Sequence, residues 1–544
     1  MDKPFAITLD PGSSLANKTG SWREEQPVYV HRLPPCNHAC PAGENIQQWL
    51  YHAESGDYEA AWRELVKDNP LAGVMGRVCY HPCESDCNRA QVDDPVGIHG
   101  VERFLGDEAI RQGWRLQVEA ESSGKRVLIV GAGPSGLSAA YHLTRRGHAV
   151  TIREAGPMAG GMMRFGIPQY RLPRDILDAE VQRILDLGVT LELGAKVTNI
   201  LEEMRDGSFD AAFLAVGAHI GKRAYIPAGE AAHILDAVTL LASMEGRERP
   251  LLGRRVVVYG GGNTAMDVAR TAKRLGASEA IVVYRRTRDR MPAHDFEVEE
   301  ALEEGVMMKW LSTIKQADEG KLVLEKMELD ETGFPQPTGE TEELEADSLV
   351  LALGQEADLS LLDDVPGLQI DDGVVKVDQR MMTGHEGIFA GGDMVPAERT
   401  VTIGVGHGKQ AARNIDAWLR ASEFAPGGRA NESELASFEM LNTWYYADAP
   451  KTVAPRLDAI RRQSSFDEVT QGLDETNALF EARRCLSCGN CFGCDNCYGV
   501  CPDNAVLKVD EADGYAFDLD YCKGCGICVE ECPCGAIEMV PESS

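Results

Sequence analysis

Sixteen cysteines in 544 residues gather toward the two ends of the chain, and none lies between Cys87 and Cys485. Near the carboxyl end the spacing is Cys491-x2-Cys494-x2-Cys497-x3-Cys501-Pro, and it recurs as Cys522-x2-Cys525-x2-Cys528-x3-Cys532-Pro. In such a run three close thiolates grip one side of an iron–sulfur cubane, and the fourth cysteine ligates the other cluster. The pattern assigns Cys491, Cys494, Cys497 and Cys532 to one [4Fe–4S] cluster, and Cys501, Cys522, Cys525 and Cys528 to a second. Zinc is the alternative occupant of paired cysteines, but its sites do not interleave in this way. Cys534 is left as a bystander.

The second chemistry written in the chain is nucleotide binding. KRVLIVGAGPSG (125–136) is an apolar strand run leading into Gly131, Gly133 and Gly136, followed by a helical pattern. Gly131 allows a tight turn, Gly133 lets a pyrophosphate approach the backbone, and Gly136 lets the helix pack on the strand. The helix N-terminus then offers free N–H groups to the phosphates. Glu154 ends the next strand, 18 residues after Gly136, where a carboxylate can take ribose hydroxyls. RRVVVYGGGNTAMDVAR (254–270) repeats the design with Gly260, Gly262 and Ala265, and its following strand ends in Arg285 and Arg286. Guanidinium groups there suit a 2′-phosphate, which points to NADP(H); the alternative is a solvated face or a pyrophosphate contact. A third segment, GIFAGGD (387–393), ends in Gly392 and Asp393, a carboxylate suited to ribityl hydroxyls. A helix beginning near Thr402 can aim its positive end at a flavin.

These groups need elements to hold them. Residues 1–35 read as an extended arm, and 36–120 as a helical iron–sulfur domain. Strand–glycine turn–helix alternation over about 125–420 reads as α/β with Rossmann-like domains. A linker with helices follows over 421–484, and a two-cluster domain over 485–544. No run of 18 apolar residues is present, and MDKPFAITLDPGSS lacks the pattern of a secretory signal. Clustered rather than scattered cysteines favour reduced, metal-bound thiolates in a cytoplasmic protein. A net charge of −32 argues against nucleic acid and anionic membranes as partners.

Together GAGPSG, GGMMRFGIPQYRLP (160–173), FLAVGA (213–218), GGGNTAMDVAR, VYRRTRDRMPA and GIFAGGD resemble the small subunit of glutamate synthase. The NADPH-binding subunit of NADH-dependent ferredoxin:NADP oxidoreductase and the N-terminal part of dihydropyrimidine dehydrogenase share the signature. The resemblance covers roughly residues 36–418. It implies a split FAD domain (121–219 and 349–420) with an NAD(P)H domain inserted at about 220–348. It also implies further flavin contacts from Pro134, Ser135, Gly161, Met162, Arg164, Gly217 and Thr402, and nucleotide contacts from Asn263 and Thr264.

By the same resemblance Cys40, Cys79 and Cys83 match three ligands of the cluster nearest the flavin. Glu102 matches the place where relatives use a carboxylate or amide as fourth ligand. Relatives carry a CxxC upstream of Cys36; this chain does not. Cys36 and Cys87 are therefore half of a site, and EARRCLSCG (481–489), which resembles the relatives' N-terminal RCLxC segment, supplies Cys485 and Cys488 as a candidate other half. The competing view is a single N-terminal cluster, with Cys485 and Cys488 idle. His38 reads as a hydrogen-bonding neighbour, not a ligand. A nicotinamide exchanges electrons in pairs and clusters exchange them singly, so a flavin is needed between them. The expectation is an NAD(P)H-dependent FAD/iron–sulfur oxidoreductase subunit within a hetero-oligomer. Its partner would be ferredoxin or another redox subunit, such as a 2-oxoacid oxidoreductase or a glutamate synthase large chain. The alternative is a non-catalytic electron-wiring or assembly subunit.

Overall fold

A computed structural model of the chain describes residues 18–222, 226–227, 233–246, 248–422, 434–509 and 514–542. The seventeen residues that open the expected arm lie outside the described residues.

Arg126–Val130 is the centre of a five-stranded parallel sheet in the order Ile388–Ala390, Ala211–Leu214, Arg126–Val130, Ala149–Arg153, Thr190–Glu192. Its last four residues are buried, as a strand covered on both faces requires. Helix Pro134–Thr144 lies on one face and starts with proline, whose fixed φ suits the first helical position. The 19-residue helix Val401–Leu419 packs against it, capped by the Thr400 hydroxyl, which accepts from Ile403 N at 3.1 Å.

The second parallel sheet runs Met307–Lys309, Glu279–Val283, Arg255–Tyr259, Ser348–Leu351, Ile234–Asp236. Ser348–Leu351 pairs with both Arg255–Tyr259 and Ile234–Asp236, so the chain crosses back to the first sheet after Leu351. The alternation of apolar strands does not say which sheet a strand joins; pairing does. A three-stranded antiparallel sheet (Ser312–Asp318, Lys321–Leu329, Pro335–Glu345) is hung on the inserted unit.

The N-terminal helices Ile46–Glu54, Tyr58–Leu65, Ala72–Val78 and Ile98–Gln112 bury Trp49, Trp62 and Leu65 completely. Residues 434–484 form a polar strap across all units. Glu468 binds Arg77 (2.7 Å) and Arg103 (2.9 Å), and Arg462 binds Glu303 of the inserted unit at 2.9 Å. The C-terminal lobe is closed by residues from the other end of the chain. Strand Glu25–Tyr29 pairs antiparallel with Ile537–Pro541, from Glu25 opposite Pro541 to Tyr29 opposite Ile537. Gly20 N donates to Asp520 O, and Arg23 to the carbonyls of Leu519 and Cys522.

Candidate functional site

Both glycine turns sit at the end of a central strand that has the next strand of the chain on one side and a later strand on the other, the point at which such sheets open a crevice. Gly131 takes φ +106°, and a Cβ there would stand 2.3 Å from Ala215 O. A Cβ on Gly161 would stand 2.7 Å from the Gly133 Cα, so these two backbones form one narrow cradle. The cradle opens into a cleft of ≈ 730 Å³, within the usual range for cofactor pockets. Gly131, Gly133, Pro134, Ser135, Glu154, Gly161, Met162, Gly217, Gly392 and Asp393 line it, and so do Asn263 and Thr264 from the second turn. The two nucleotide turns thus face a common space.

The polar groups fit a dinucleotide. Ser135 Oγ, in the first turn of helix Pro134–Thr144, is buried and has no hydrogen-bond partner among the described residues. Glu154 is held at the rim by Ala132 N (2.8 Å) and Gly156 N (2.7 Å). Asp393 sits in a setting whose burial raises its pKa, a cost that hydroxyl donors would offset. Gly136 packs against Gly131, as the helix–strand contact requires. Gly260, Gly262 and Ala265 form the second turn, with Ala265 fully buried. Arg285 and Arg286 lie just beyond strand Glu279–Val283; Arg285 is exposed, and Arg286 Nε is buried without a partner.

Two of the expected flavin residues are turned elsewhere. The Arg164 guanidinium donates to Ala159 O (2.7 Å) and pairs with Asp178 and Glu245, so it braces the helix behind the cradle and does not line the cleft. Thr402, in the first turn of Val401–Leu419, donates instead to Cys79 Sγ at 3.1 Å. Met163 is core, whereas its neighbour Met162 faces the cleft.

Tyr80, Arg171 and Asp267 also line the cleft, and motif spacing did not single them out. Arg171 binds Asp267 through 2.8 and 3.0 Å bonds and Glu297 at 2.7 Å. Tyr80 accepts from Asn263 Nδ2 at 2.6 Å and stacks on His294, with ring centroids 3.7 Å apart. One polar knot therefore joins the first α/β unit, the inserted unit and the N-terminal helices. Asp267 was findable: Asn263, Thr264 and Asp267 share one helix face by i, i+3 and i+4 spacing.

The cysteines converge in four sets. Cys40, Cys79, Cys83, Glu102 and Thr402 surround one small void. Cys36, Cys87, Cys485 and Cys488 surround a second, which draws on both ends of the chain, and Asn88 Nδ2 lies 3.6 Å from Cys488 Sγ. Cys501, Cys522, Cys525 and Cys528 surround a third. Cys491, Cys494, Cys497 and Cys532 act on one another electrostatically, and Cys534 Sγ lies 3.8 Å from Cys532 Sγ. Among the described residues no trio of His, Cys, Asp or Glu closes on a single metal ion; each of the first three sets encloses a space. Burial pushes the thiols of Cys36, Cys40 and Cys83 well up, and neighbouring thiol and carboxyl groups add to the shift. Burial likewise raises Glu102, whose Oε1 accepts from Asn69 Nδ2 at 2.9 Å. Such donors carry charge in the interior only around a cationic core, which fits iron–sulfur clusters.

The sets are in file. Thr402 joins the cleft helix to Cys79, and Ile98 lines both the Cys79 void and the Cys36 void. Gly489 N, next to Cys488, donates to Cys534 O at 2.6 Å, and Cys534 Sγ lies 3.8 Å from Cys532 Sγ, which joins the second set to the set of Cys532. Helices Asn496–Val500 and Ile527–Glu530, which carry Cys497 and Cys528, pack on each other.

Residues 125–421, more than half of the chain, match the model of the pyridine nucleotide-disulphide oxidoreductase family. The chain belongs to that family. Residues 29–114 of this oxidoreductase match dihydropyrimidine dehydrogenase domain II, 4Fe-4S cluster, and residues 490–536 match a 4Fe-4S dicluster domain. It is 38% identical over 501 residues to the NADP(+)-dependent formate dehydrogenase subunit beta of Moorella thermoacetica, covering 84% of this chain and 70% of the relative. With the NADPH-Fe(3+) oxidoreductase subunit beta of Geobacter sulfurreducens it shares 33% over 524 residues, 85% of this chain and 77% of the relative. With an Escherichia coli NAD-dependent dihydropyrimidine dehydrogenase subunit it shares 33% over 393 residues, 71% of this chain and 92% of the relative. The enzyme is thus an NAD(P)H-dependent flavin iron–sulfur oxidoreductase, with FAD, NAD(P) and [4Fe–4S] clusters as its cofactors. Its nucleotide-binding span holds no cysteine, so the redox disulfide of the family name is absent and the cysteines flank it on both sides. Among the described residues no helix is long and apolar enough to cross a membrane.

Proposed function

We propose that this chain is the nicotinamide-handling subunit of a hetero-oligomeric redox enzyme. In this reading it exchanges electrons between NADP(H) at the cleft and a partner that docks at the C-terminal lobe. The observation that carries the reading is the file of four thiol sets running from the cleft to that lobe. FAD supplies a carrier that deals in electron pairs with a nicotinamide and in single electrons with clusters. The chain's own groups do the rest. The Gly131–Gly133–Gly161 cradle and Ser135 take the pyrophosphate, Glu154 the ribose and Asp393 the ribityl chain. Asn263 and Thr264 present the second nucleotide to the same space, and Arg285 with Arg286 takes its 2′-phosphate. Cys40, Cys79, Cys83 and Glu102 hold the cluster nearest the cleft, Cys36, Cys87, Cys485 and Cys488 the next, and the two interleaved sets the last pair.

The partner is a ferredoxin, which could meet the two-cluster lobe, or an oxidoreductase subunit with its own substrate site, of the kind the relatives' subunit names suggest. Anaerobic NADPH added to the purified chain tests the reading. Bleaching near 450 nm should be followed by paramagnetic reduced clusters and by turnover of a low-potential dye. Flavin that bleaches while every cluster stays oxidised would overturn the relay; no bleaching at all would favour a wiring subunit whose nucleotide site is structural.

A further inference from the structure

The strand that closes the C-terminal lobe brings one polar group to the thiols. Tyr29, the last residue of Glu25–Tyr29, places its hydroxyl 3.2 Å from Cys497 Sγ, 468 residues away in sequence. Its ring is held on the lobe side, stacked on Phe517 (centroids 4.7 Å, 14° between planes) and next to Tyr515 at 6.3 Å. The backbone pairing of Tyr29 with Ile537 fixes the strand beneath it. Tyr515 is itself tied by its hydroxyl to Asp495 Oδ1 at 2.6 Å, so the aromatic stack has little freedom to turn. A thiolate bound to iron carries no proton, and a phenol keeps its own until about pH 10. The hydroxyl must therefore donate and the sulfur accept.

We infer that Tyr29 sets the reduction potential of the cluster ligated by Cys497, raising it through this O–H···S hydrogen bond. The inference rests on the assignment of Cys497 as a cluster ligand. The physics is differential. Reduction adds negative charge that spreads onto the sulfurs, so a donor at sulfur stabilises the reduced cluster more than the oxidised one. Other contacts to thiols of this set and its neighbour include Ala536 N to Cys532 at 3.4 Å, Cys534 Sγ beside Cys532 Sγ at 3.8 Å, and Ala505 N to Cys501 at 3.2 Å. Those come from the lobe itself. Tyr29 comes from the opposite end of the chain, so the arm acts on the cluster's electronics as well as on the lobe's sheet.

The test compares the full-length holoprotein with Tyr29→Phe, which keeps the ring and removes only the hydroxyl. Iron content and dye-mediated redox titration followed by electron paramagnetic resonance are the readouts. One cluster should become harder to reduce by about tenfold in its equilibrium, about 59 mV for one electron. The remaining clusters and the bleaching of FAD by NADPH should be unchanged. A variant with full iron whose titration falls within about threefold of the native one would overturn the inference. Native protein whose C-terminal lobe holds no cluster would instead overturn the ligand assignment.

Should Tyr29→Phe fail to retain iron, native protein carries the test. Brief exposure to D2O exchanges a hydroxyl before it exchanges the buried, hydrogen-bonded amides of Ala505 and Ala536. Electron–nuclear double resonance on the reduced lobe cluster should then lose one proton coupling and gain a deuteron. No exchangeable coupling under those conditions would also overturn the inference.

Discussion

Replacing Cys488 by alanine tests the most unusual feature of the proposed relay, a cluster built from both ends of the chain. Cys36 and Cys87 come from the N-terminal helical domain and Cys485 and Cys488 from the segment entering the C-terminal lobe, around one void. Four cubanes hold about sixteen irons per chain, so losing this one should remove about four, a quarter of the total. The segment itself should stay in place. Arg484 donates to the carbonyls of Ala449 (2.8 Å), Pro95 (2.9 Å) and Asp94 (2.6 Å) and pairs with Asp93 and Glu481. Charged hydrogen bonds of this kind contribute about 1.5–3 kcal/mol each. Iron should therefore fall without unfolding. The assay is iron and acid-labile sulfide per chain on reconstituted protein, with circular dichroism as the folding control. NADPH should still bleach FAD at the native rate, while reduction of the two lobe clusters slows sharply because a member of the file is missing. Undiminished iron in Cys488→Ala would refute the shared site, and so would a native count of about twelve irons.

Five further outcomes are expected. Gly131→Ala should abolish FAD retention, measured as absorbance near 450 nm per protein, because the new Cβ would meet Ala215 O at 2.3 Å in a left-handed backbone. Gly188→Ala has a similar φ of +101° but nothing within 4 Å, so it should cost only about 1–2 kcal/mol in an unfolding titration and keep FAD. Arg285→Ala with Arg286→Ala should weaken NADPH by about 10- to 100-fold and leave NADH unchanged, since only the former carries the 2′-phosphate; equal losses for both nucleotides in binding titrations would refute the phosphate reading. Arg171→Met leaves the buried Asp267 and Glu297 uncompensated and should destabilise the fold by about 3–5 kcal/mol, with Asp267→Asn in the same chain recovering part of the melting temperature. Burial lowers the pKa of His142, whose Nε2 lies 3.2 Å from Asp68 O. The unfolded chain then takes up a proton below about pH 6.5 that the folded one refuses, so stability is full above that pH and falls by up to about 1.4 kcal/mol per unit below it. His142→Gln should flatten that part of the denaturation profile.

How far the sequence reading reached follows from how local each requirement is. Gly131 and Gly260 mark turns that only a residue without a side chain can make, and both sit at the ends of central strands. The interleaved cysteines carry a cluster's geometry in their spacing, and the structure gathers them into sets. The direction in which a side chain leaves its element is not local in that sense. Thr402 and Arg164 lie in the expected segments, but one turns to Cys79 and the other to Asp178. The knot of Tyr80, Arg171, Asp267 and Glu297 joins three separate units, so only Asp267, on the helix face of Asn263 and Thr264, leaves a periodic signal. Which sheet Ser348–Leu351 joins is not local either, since both sheets are built from the same apolar strand type and only pairing distinguishes them.

The strand pairing of Tyr29 with Ile537 also sets a timetable for biosynthesis. The ribosome adds about 5–20 residues per second, so the arm emerges roughly 25 to 100 seconds before its hydrogen-bonding partner exists. Through that interval the Glu25–Tyr29 edge is an unpaired strand, and the cluster lobe cannot be sealed until Ile537–Pro541 has been made. Ribosome-bound chains halted short of Ile537 should accordingly lose their arm to limited proteolysis, and released full-length chains should keep it.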